Sequence, residues 1–343
     1  MSVSLAVKYR PSSFDDLTEQ FAVKTILTNQ IETNTIKHGY LFCGGAGTGK
    51  TTSARIFANM INNGHGTPIE LDAASNNSVD DIRRLTDDAQ TQSLDSEYKV
   101  FILDEVHSLS NQAWQAMLKT LEEPPAKSIF ILCTTNPEKI PSTILSRVQR
   151  YNFQRISHEG VVKRLEYIAN KEQNEQNSFV NVEKDSLDYI ARIADGGMRD
   201  AITLMDKCLS YSPELTLDNV VKALGLADYK VMFDLAISLK KKDTNITIEI
   251  INDVFYSGVD LKLFCKTFFE FILDLNVCKI TGDLSNTKIP LTWNGKPALH
   301  DLTRWDMLSG LMKTVLEINN EIKWEQNPKP FIIAKLVLFV EGL

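Results

Sequence analysis

A short glycine-rich segment constrains this chain more than any other feature of its sequence. Residues 44–51 read GGAGTGKT, a full match to the pattern GxxxxGK[ST], and the apolar run Tyr40–Cys43 precedes them. A helical pattern follows at once, over Lys50–Asn62. A buried strand, a glycine loop and a helix in this order place backbone N–H groups around a polyphosphate. The segment therefore predicts a nucleoside triphosphate site in an α/β fold.

The residue types of the loop suit this chemistry. Glycine lets the main chain approach the phosphates without a Cβ in the way. Lys50 supplies a positive charge to the outer phosphates, and Thr51 offers a hydroxyl to Mg²⁺. A glycine-rich turn without chemical meaning is the alternative, and the flanking strand and helix disfavour it. The loop residues expected to bind nucleotide are Gly44, Gly45, Ala46, Gly47, Thr48, Gly49, Lys50, Thr51 and Thr52.

Composition narrows the class of protein. The chain has 343 residues, enough for two or three domains, and its 43% apolar and 24% charged content is ordinary for a soluble globular protein. Its formal net charge of −7 excludes a chain that coats nucleic acid through overall basicity. Any contact with DNA is therefore expected to be local.

Cysteine and hydropathy patterns bear on the compartment. The five cysteines are scattered and include no CxxC pair, which indicates a reducing compartment and no structural zinc. The N-terminus has no long apolar stretch, and the apolar runs Phe268–Val277 and Phe331–Val340 are too short to span a bilayer. We therefore expect a cytoplasmic protein with no membrane partner.

From residue 40 to residue 153, short apolar runs alternate with helical patterns. This alternation, with runs read as apolar throughout, predicts a parallel five-stranded sheet covered on both faces. The expected strands are Leu41–Cys43, Ile69–Leu71, Val100–Leu103, Ile129–Cys133 and Val148–Phe153. The expected helices between them are Lys50–Asn62, Val79–Thr91, Asn111–Leu121 and Ser142–Leu145.

The rest of the chain has helical spacing, with the pair Gly196-Gly197 as a break and Thr281–Lys296 as a loop. The expected helices are Ser157–Asn174, Ser186–Ala194, Arg199–Leu209, Asp218–Leu224, Lys230–Lys240, Thr244–Tyr256, Asp260–Cys278, Leu299–Trp324 and Pro330–Gly342. We expect three domains: an α/β nucleotide-binding domain over 1–156, a small helical domain over 157–226 and a larger all-α domain over 227–343.

Polar residues follow two of the predicted strands. Asp104 and Glu105 come directly after Val100–Leu103, and Asn136 follows Ile129–Cys133. The carboxyl ends of parallel strands gather at one edge of the sheet, where ligands bind. We expect Asp104 to hold Mg²⁺, Glu105 to deprotonate an attacking water and Asn136 to bind the γ-phosphate. An Asn that merely begins an Asn-Pro turn remains the alternative for Asn136.

A series of longer motifs makes the chain similar to a known family. In order, the sequence contains KYRP, HGYLF, GGAGTGKTT, LDAAS, DEVH, LKTLEEPP, TTNPEKIPSTILSR and GGMRDA. Together these resemble the ATPase subunit of DNA polymerase clamp loaders, nearest to the bacterial gamma/tau subunits and more distantly to the small subunits of replication factor C. The resemblance covers residues 5 to about 210 and implies an AAA+ P-loop ATPase fold, followed by a helical lid and an all-α collar.

The resemblance also implies roles for particular residues. Arg147 resembles the arginine finger that reaches the ATP of a neighbouring subunit, and Arg199 resembles the lid arginine that contacts the γ-phosphate in cis. Residues 17–20, Leu-Thr-Glu-Gln, resemble the family's VGQ element. The segment that resembles the cover of the adenine base comprises Val7, Tyr9, Arg10 and Pro11.

The sequence departs from the bacterial family in two places. Only Asn63–Pro68 stands where the family carries a four-cysteine zinc module, so the resemblance implies ATP and Mg²⁺ but no zinc. The family's Ser-Arg-Cys is Ser-Arg-Val here, at residues 146–148, which leaves the arginine in place. These departures suggest a minimal loader ATPase of the bacterial cytoplasm, of the kind that a phage or plasmid could encode.

The partners implied are a sliding clamp, primer–template DNA contacted through its backbone, other loader subunits, and copies of this chain in a head-to-tail open spiral. Clamp contact is expected on Val79–Thr91. DNA contact is expected from helix starts at Ser78 and Ser110 and from a basic stretch. That stretch contains Lys139, Arg147, Arg150 and Arg155. An AAA+ helicase loader, a branch-migration motor and a non-hydrolysing structural loader subunit remain the alternatives.

Overall fold

The computed structural model describes residues 3–176, 182–225, 229–282, 287 and 296–342. Five parallel strands form one sheet in the order β2-β3-β4-β1-β5. The strands are β1 (Gly39–Cys43), β2 (Ile69–Asp72), β3 (Lys99–Asp104), β4 (Ser128–Thr134) and β5 (Gln149–Asn152). The predicted parallel five-stranded sheet is confirmed, and the carboxyl ends of its strands meet at one edge.

Helices account for most of the remaining described chain. In the first half they are α1 (Leu5–Lys8), α2 (Phe21–Glu32), α3 (Lys50–Ile61), α4 (Val79–Ala89), α5 (Asn111–Glu122), α6 (Ser142–Leu145) and α7 (His158–Gln176). They continue with α8 (Lys184–Ala194), α9 (Met198–Tyr211), α10 (Leu217–Leu224), α11 (Tyr229–Lys240), α12 (Thr244–Tyr256), α13 (Leu261–Thr281), α14 (Lys296–Thr303), α15 (Leu308–Glu321) and α16 (Pro328–Glu341). None of them, within the described ranges, is long and apolar enough to cross a membrane.

Two apolar layers cover the central strands. Every residue of β1 and β4 is buried, because these strands pair on both sides and are packed on both faces. Tyr40 and Phe42 of β1 pack with α2 and α3 on one face. Leu41 of β1 packs with α4, α5 and α6 on the other. The glycine loop follows the carboxyl end of β1, a central strand that is paired on both sides. The position of the loop is therefore fixed by the sheet.

The two edge strands correct the prediction that all five runs are apolar and buried. In β2 only Leu71 is half-buried and the other residues are exposed. In β5 only Tyr151 is buried. An edge strand pairs on one side only, and polar residues along it discourage pairing with other chains.

Two predictions about helices need correction. The pattern Leu299–Trp324 is two helices, α14 and α15, separated by a turn at residues 304–307. Trp305 lies in this turn, partly buried against the core and 6.0 Å from the ring of Phe339. Helices α1 and α2, which precede the sheet in the sequence, were not predicted at all. The expected loop Thr281–Lys296 lies mostly outside the described residues.

Contacts divide the chain into two compact units. The first comprises residues 1–175 and 190–206, and the second comprises residues 176–189 and 207–343. The core of the second unit is built from α11 to α16, with Phe264, Phe268 and Phe271 of α13 at its centre. The first unit contains the sheet and the glycine loop. The two boundaries between the three expected domains stay predictions.

Candidate nucleotide-binding site

A pocket lies beside the glycine loop in the first unit. It brings together predicted residues from three separate segments: Tyr9, Arg10, Pro11, Gly47, Thr48, Gly49, Lys50, Thr51, Thr52 and Arg199. Leu17 and Thr18, from the segment that resembles the VGQ element, also line it. The remaining lining residues are ones for which the sequence predicted no individual role: Ala6, Ile156, Arg164, Met198 and Ile202. Val7 lies outside this lining and is 55% exposed. Gly44, Gly45 and Ala46 form the other end of the loop.

The lysine of the loop is held close to the main chain. Lys50 begins α3 and is only 6% exposed. Its ammonium Nζ donates to the carbonyl oxygens of Gly44 at 2.9 Å and Gly45 at 2.8 Å. Burial lowers the pKa of Lys50, although the nearby Glu105 and Asp104 favour the charged form. A buried cation held only by carbonyl dipoles gains much from an anion placed beside it.

A hydroxyl and a carboxylate meet at the expected metal position. The Thr51 hydroxyl donates to Asp104 Oδ2 at 2.6 Å. Asp104 ends β3, so the contact joins the carboxyl end of a strand to the first turn of α3. Mg²⁺ takes oxygen ligands and is usually held by one or two protein groups together with substrate phosphates and waters. Thr51 and Asp104 therefore fit a Mg²⁺ site.

Glu105 takes an unusual backbone conformation beside Asp104. Its φ is 49°, in the left-handed region, and its N–H donates to Asp104 Oδ1 at 2.9 Å. Its carboxylate Oε2 accepts from the Thr135 hydroxyl at 3.0 Å and lies 3.2 Å from His107 Nδ1. Such strain in a carboxylate-bearing turn is often found at functional sites. The carboxylate is thereby fixed at the edge of the sheet where the glycine loop lies.

The residue after β4 that contacts Glu105 is Thr135. Asn136 uses its backbone N–H to donate to the Thr134 hydroxyl at 3.0 Å. In the described part of the chain, the Asn136 side chain makes no hydrogen bond. The expected role of Asn136 stays a prediction. Thr135 is a further candidate functional residue, for which the sequence predicted no role. The TTN run was the available signal, since a hydroxyl can orient a carboxylate as an amide can.

The start of α9 lies directly against the glycine loop. The Met198 N–H donates to the carbonyl oxygen of Gly47 at 3.0 Å. Gly47 has a φ of 69°, and a Cβ there would lie 3.1 Å from Gly197 Cα, so any side chain would disturb this contact. Arg199, the next residue of α9, lines the pocket. The structure thus joins the GGMRDA motif to the glycine loop.

The segment Tyr9–Pro11 is held by α7. Arg164 Nη2 donates to the carbonyl oxygen of Tyr9 at 3.0 Å, and the Tyr9 hydroxyl donates to Glu172 at 2.6 Å. Lys8 also binds the buried Glu172. Burial tends to raise the pKa of Glu172, but the hydrogen bonds from Lys8 and Tyr9 lower it overall. Burial also lowers the pKa of Arg10, helped by nearby Arg55 and Arg199.

Arg147 is not part of the pocket of its own chain. Its Nη2 donates to Glu122 Oε1 at 2.6 Å, and its Nη1 donates to the Thr143 carbonyl at 2.5 Å. Its side chain is 32% exposed. Arg147 is therefore held on the surface beside the LKTLEEPP motif, separate from Lys50 and Arg199. Its expected role in trans stays a prediction.

The expected DNA-contacting groups differ in their availability. Besides the Arg147–Glu122 pair, Arg155 Nη1 pairs with Asp195 Oδ2 at 2.9 Å. The start of α4 has a capping box between Ser78 and Asp81, and carboxylates in a first turn oppose a phosphate there. The start of α5 has no acidic residue in its first turn. Lys139 and Arg150 are exposed and make no ion pair in the described ranges.

Three family models match consecutive parts of the chain. A model described as the DNA polymerase III delta subunit matches residues 61–157. A model of the ATPase lid domain of the DNA polymerase III clamp loader subunit matches residues 160–214. A model of domain III of the DNA polymerase III gamma and tau subunits matches residues 215–320.

Curated relatives agree with these models. The chain is 35% identical to DNA polymerase III subunit tau of Bacillus subtilis, over 96% of this chain and 62% of that protein. It is 32% identical to DNA polymerase III subunit gamma of Buchnera aphidicola from Acyrthosiphon pisum, over 84% of this chain and 82% of that protein. The chain thus spans less than two thirds of the length of the tau relative.

Solved structures of the RuvB Holliday junction branch migration motor of Thermotoga maritima share the fold. One has a TM-score of 0.51 and 19% identity, and the match covers 74% of this chain and 86% of that chain. At this identity the likeness shows the fold alone. With the matched lid and helical domain III, it confirms the predicted AAA+ P-loop fold with its helical additions.

Proposed function

This chain belongs to the gamma/tau subunit family of DNA polymerase III, and from that membership we propose that it is an ATPase subunit of a sliding-clamp loader. One observation carries the proposal. The buried Lys50, the Thr51–Asp104 contact and the fixed Glu105 carboxylate lie together where the glycine loop leaves the sheet. This is the set of groups that phosphoryl transfer from ATP to water requires.

Each of these residues has a chemical task in the proposed reaction. Lys50 exchanges its two carbonyl partners for the outer phosphates. Thr51 and Asp104 would hold Mg²⁺, which would neutralise negative charge on the phosphates. Glu105 orients the attacking water and accepts its proton, and Arg199 reaches the γ-phosphate from α9.

The proposed assembly uses one chain for both halves of a shared site. Arg147 of one copy completes the pocket of its neighbour, which makes the contact head-to-tail and generates a ring or an open spiral. ATP then joins neighbouring subunits, and hydrolysis removes the bridging charge. We propose that the ATP-bound spiral grips an open sliding clamp and primer–template DNA, together with other loader subunits, and that hydrolysis releases both.

The proposed DNA contact is local and independent of sequence. Lys139 and Arg150 are the members of the basic stretch that carry no carboxylate partner in the described residues. The start of α5, capped by Ser110, adds backbone N–H groups without opposing carboxylates. A contact of this kind reads phosphates rather than bases, which suits a protein that acts on any primed site.

ATP turnover measured with and without primed DNA and the sliding clamp of the same organism tests the proposed function. The assembled loader should be stimulated on the order of tenfold or more only when both are present, well within the range that a trans arginine supplies. Turnover that ignores the clamp would favour a helicase loader or branch-migration motor. Absence of turnover under every condition would favour a structural subunit.

Thr135 offers a finer prediction about the same reaction. Thr135→Ala should slow single-turnover ATP hydrolysis by about tenfold or more, because Glu105 loses a hydrogen bond that fixes its carboxylate. The affinity for ATP should stay unchanged. Asn136→Ala tests the predicted γ-phosphate contact separately, one residue away. Equal rates for Thr135→Ala and the unmodified chain would show that Glu105 needs no support from Thr135.

A further inference from the structure

A tight turn before α2 connects two parts of the pocket that are distant in sequence. Its residues, Glu19 and Gln20, both have left-handed backbone conformations, with φ of 56° and 53°. Residues other than glycine adopt this conformation infrequently, so two in succession need support from surrounding contacts. Their side chains supply such contacts in two different directions.

Gln20 connects the turn to the glycine loop. It is 8% exposed, and its Nε2 donates to the carbonyl oxygens of Gln154 at 2.7 Å and Thr48 at 3.3 Å. Its Oε1 accepts from the Gln154 N–H at 3.1 Å. The Gln20 amide therefore fixes the glycine loop relative to the chain that leads into α7.

Glu19 connects the turn to α7 itself. Its carboxylate accepts from the N–H of Ser157 at 3.0 Å and from the Ser157 hydroxyl. The Ser157 hydroxyl oxygen accepts in turn from the Gly160 N–H at 3.0 Å. A carboxylate at this end of a helix is favoured by the unpaired N–H groups and the helix dipole. Gly160 leaves room for it, since a Cβ there would overlap Glu19 Oε1.

Helix α7 carries the groups that hold the Tyr9–Pro11 side of the pocket. Arg164 stands one turn after Gly160, lines the pocket and donates to the Tyr9 carbonyl. Glu172, two turns further on, accepts from the Tyr9 hydroxyl. A shift at the start of α7 would therefore move Tyr9 relative to the glycine loop, which Gln20 holds.

We propose that Glu19 is a positioning residue for the nucleotide, acting through α7 on the Tyr9–Pro11 side of the pocket. It touches neither the nucleotide nor the reacting atoms. With Gln20, it sets the distance between the two sides of the pocket, so that both are in place before nucleotide arrives. This inference rests on the proposed ATP-binding function.

Glu19→Gly in the full chain tests the proposal, with binding of ATP and ADP measured at equilibrium. Glycine accepts the left-handed conformation without strain, which offsets the lost helix cap, so the thermal unfolding midpoint should change little. Both nucleotides should bind about fivefold more weakly, the size expected for one lost cap. Asn34→Gly, at a φ of 52° and outside the pocket lining, is the matched control and should leave affinity unchanged.

Gly160→Ala provides an independent second variant. Alanine favours a helix, but here its methyl group should displace the Glu19 carboxylate and weaken binding by a similar factor. In the Glu19→Gly background only the milder contact of that methyl group with Ile156 Cγ2, at 3.1 Å, remains, so its effect on affinity should be much smaller. Wild-type affinity for Glu19→Gly, or equal effects of Gly160→Ala in both backgrounds, would overturn the proposal. If the unmodified chain bound no ATP, the proposed function itself would fail.

Discussion

Lys50→Ala should abolish useful ATP binding, weakening it by at least about 100-fold. Lys50 is 6% exposed and is the buried cation of the glycine loop, where it holds two backbone carbonyls. Without it, the outer phosphates lose a charge-assisted partner and face carbonyl oxygens instead. Lys50→Met keeps the aliphatic stem and should lose affinity nearly as much. Equilibrium titration with a fluorescent ATP analogue measures the effect.

Lys99 provides the matched control for this experiment. Its side chain is 13% exposed and its Nζ pairs with Asp88 at 2.7 Å. Lys99 begins β3 and Asp104 ends it, so the two residues lie at opposite ends of the same strand. Lys99→Ala should leave ATP affinity unchanged even if it lowers the unfolding temperature. An affinity of Lys50→Ala within threefold of the unmodified chain would contradict the assignment of the loop.

Arg147→Ala should slow ATP hydrolysis by about 10³-fold or more in the assembled loader while leaving ATP binding largely intact. A guanidinium delivered by a neighbouring subunit stabilises charge on the transferring phosphoryl group but contributes little to ground-state binding. In this structure Arg147 is paired with Glu122, and that pair must open for Arg147 to reach another site. Arg155→Ala, which removes another paired surface arginine, should have a much smaller effect on hydrolysis.

A mixing experiment distinguishes action in trans from action within one chain. Loaders assembled from Lys50→Ala and Arg147→Ala copies together contain some sites with an intact lysine and an intact neighbouring arginine. Such mixtures should recover part of the turnover that each variant lacks alone. Normal hydrolysis by Arg147→Ala assemblies, or no recovery on mixing, would show that Arg147 does not serve a neighbour's site.

Local features of the fold could be predicted because local sequence dictates them. The glycine loop between β1 and α3 follows from an apolar run, glycines and a helical pattern in immediate succession. The resemblance of the ordered motifs to clamp-loader ATPase subunits is confirmed by the family models along the chain. The apolar runs predicted burial less well for the edge strands β2 and β5, because each of these strands pairs on one side only.

The contact that supports the Glu105 carboxylate could not be predicted from the neighbouring sequence. Thr134, Thr135 and Asn136 follow one another in the sequence, which predicted a γ-phosphate contact for Asn136 and no role for Thr135. The direction of each side chain is set by how the chain turns after β4. That turn places the Thr135 hydroxyl 3.0 Å from Glu105. No periodicity in the sequence encodes this choice.

The sequence by itself predicted the glycine loop and the alternation of strands and helices through the sheet, because glycine-loop geometry and helical spacing depend on neighbouring residues. Only the tertiary structure decided which distant segments share the pocket. Arg164 and Met198 line it because α7 and α9 pack beside the glycine loop, and Gln20, in the turn before α2, donates to a carbonyl of that loop. Long-range packing depends on the shape and burial of whole helices and strands, and so no single stretch of the sequence specifies it.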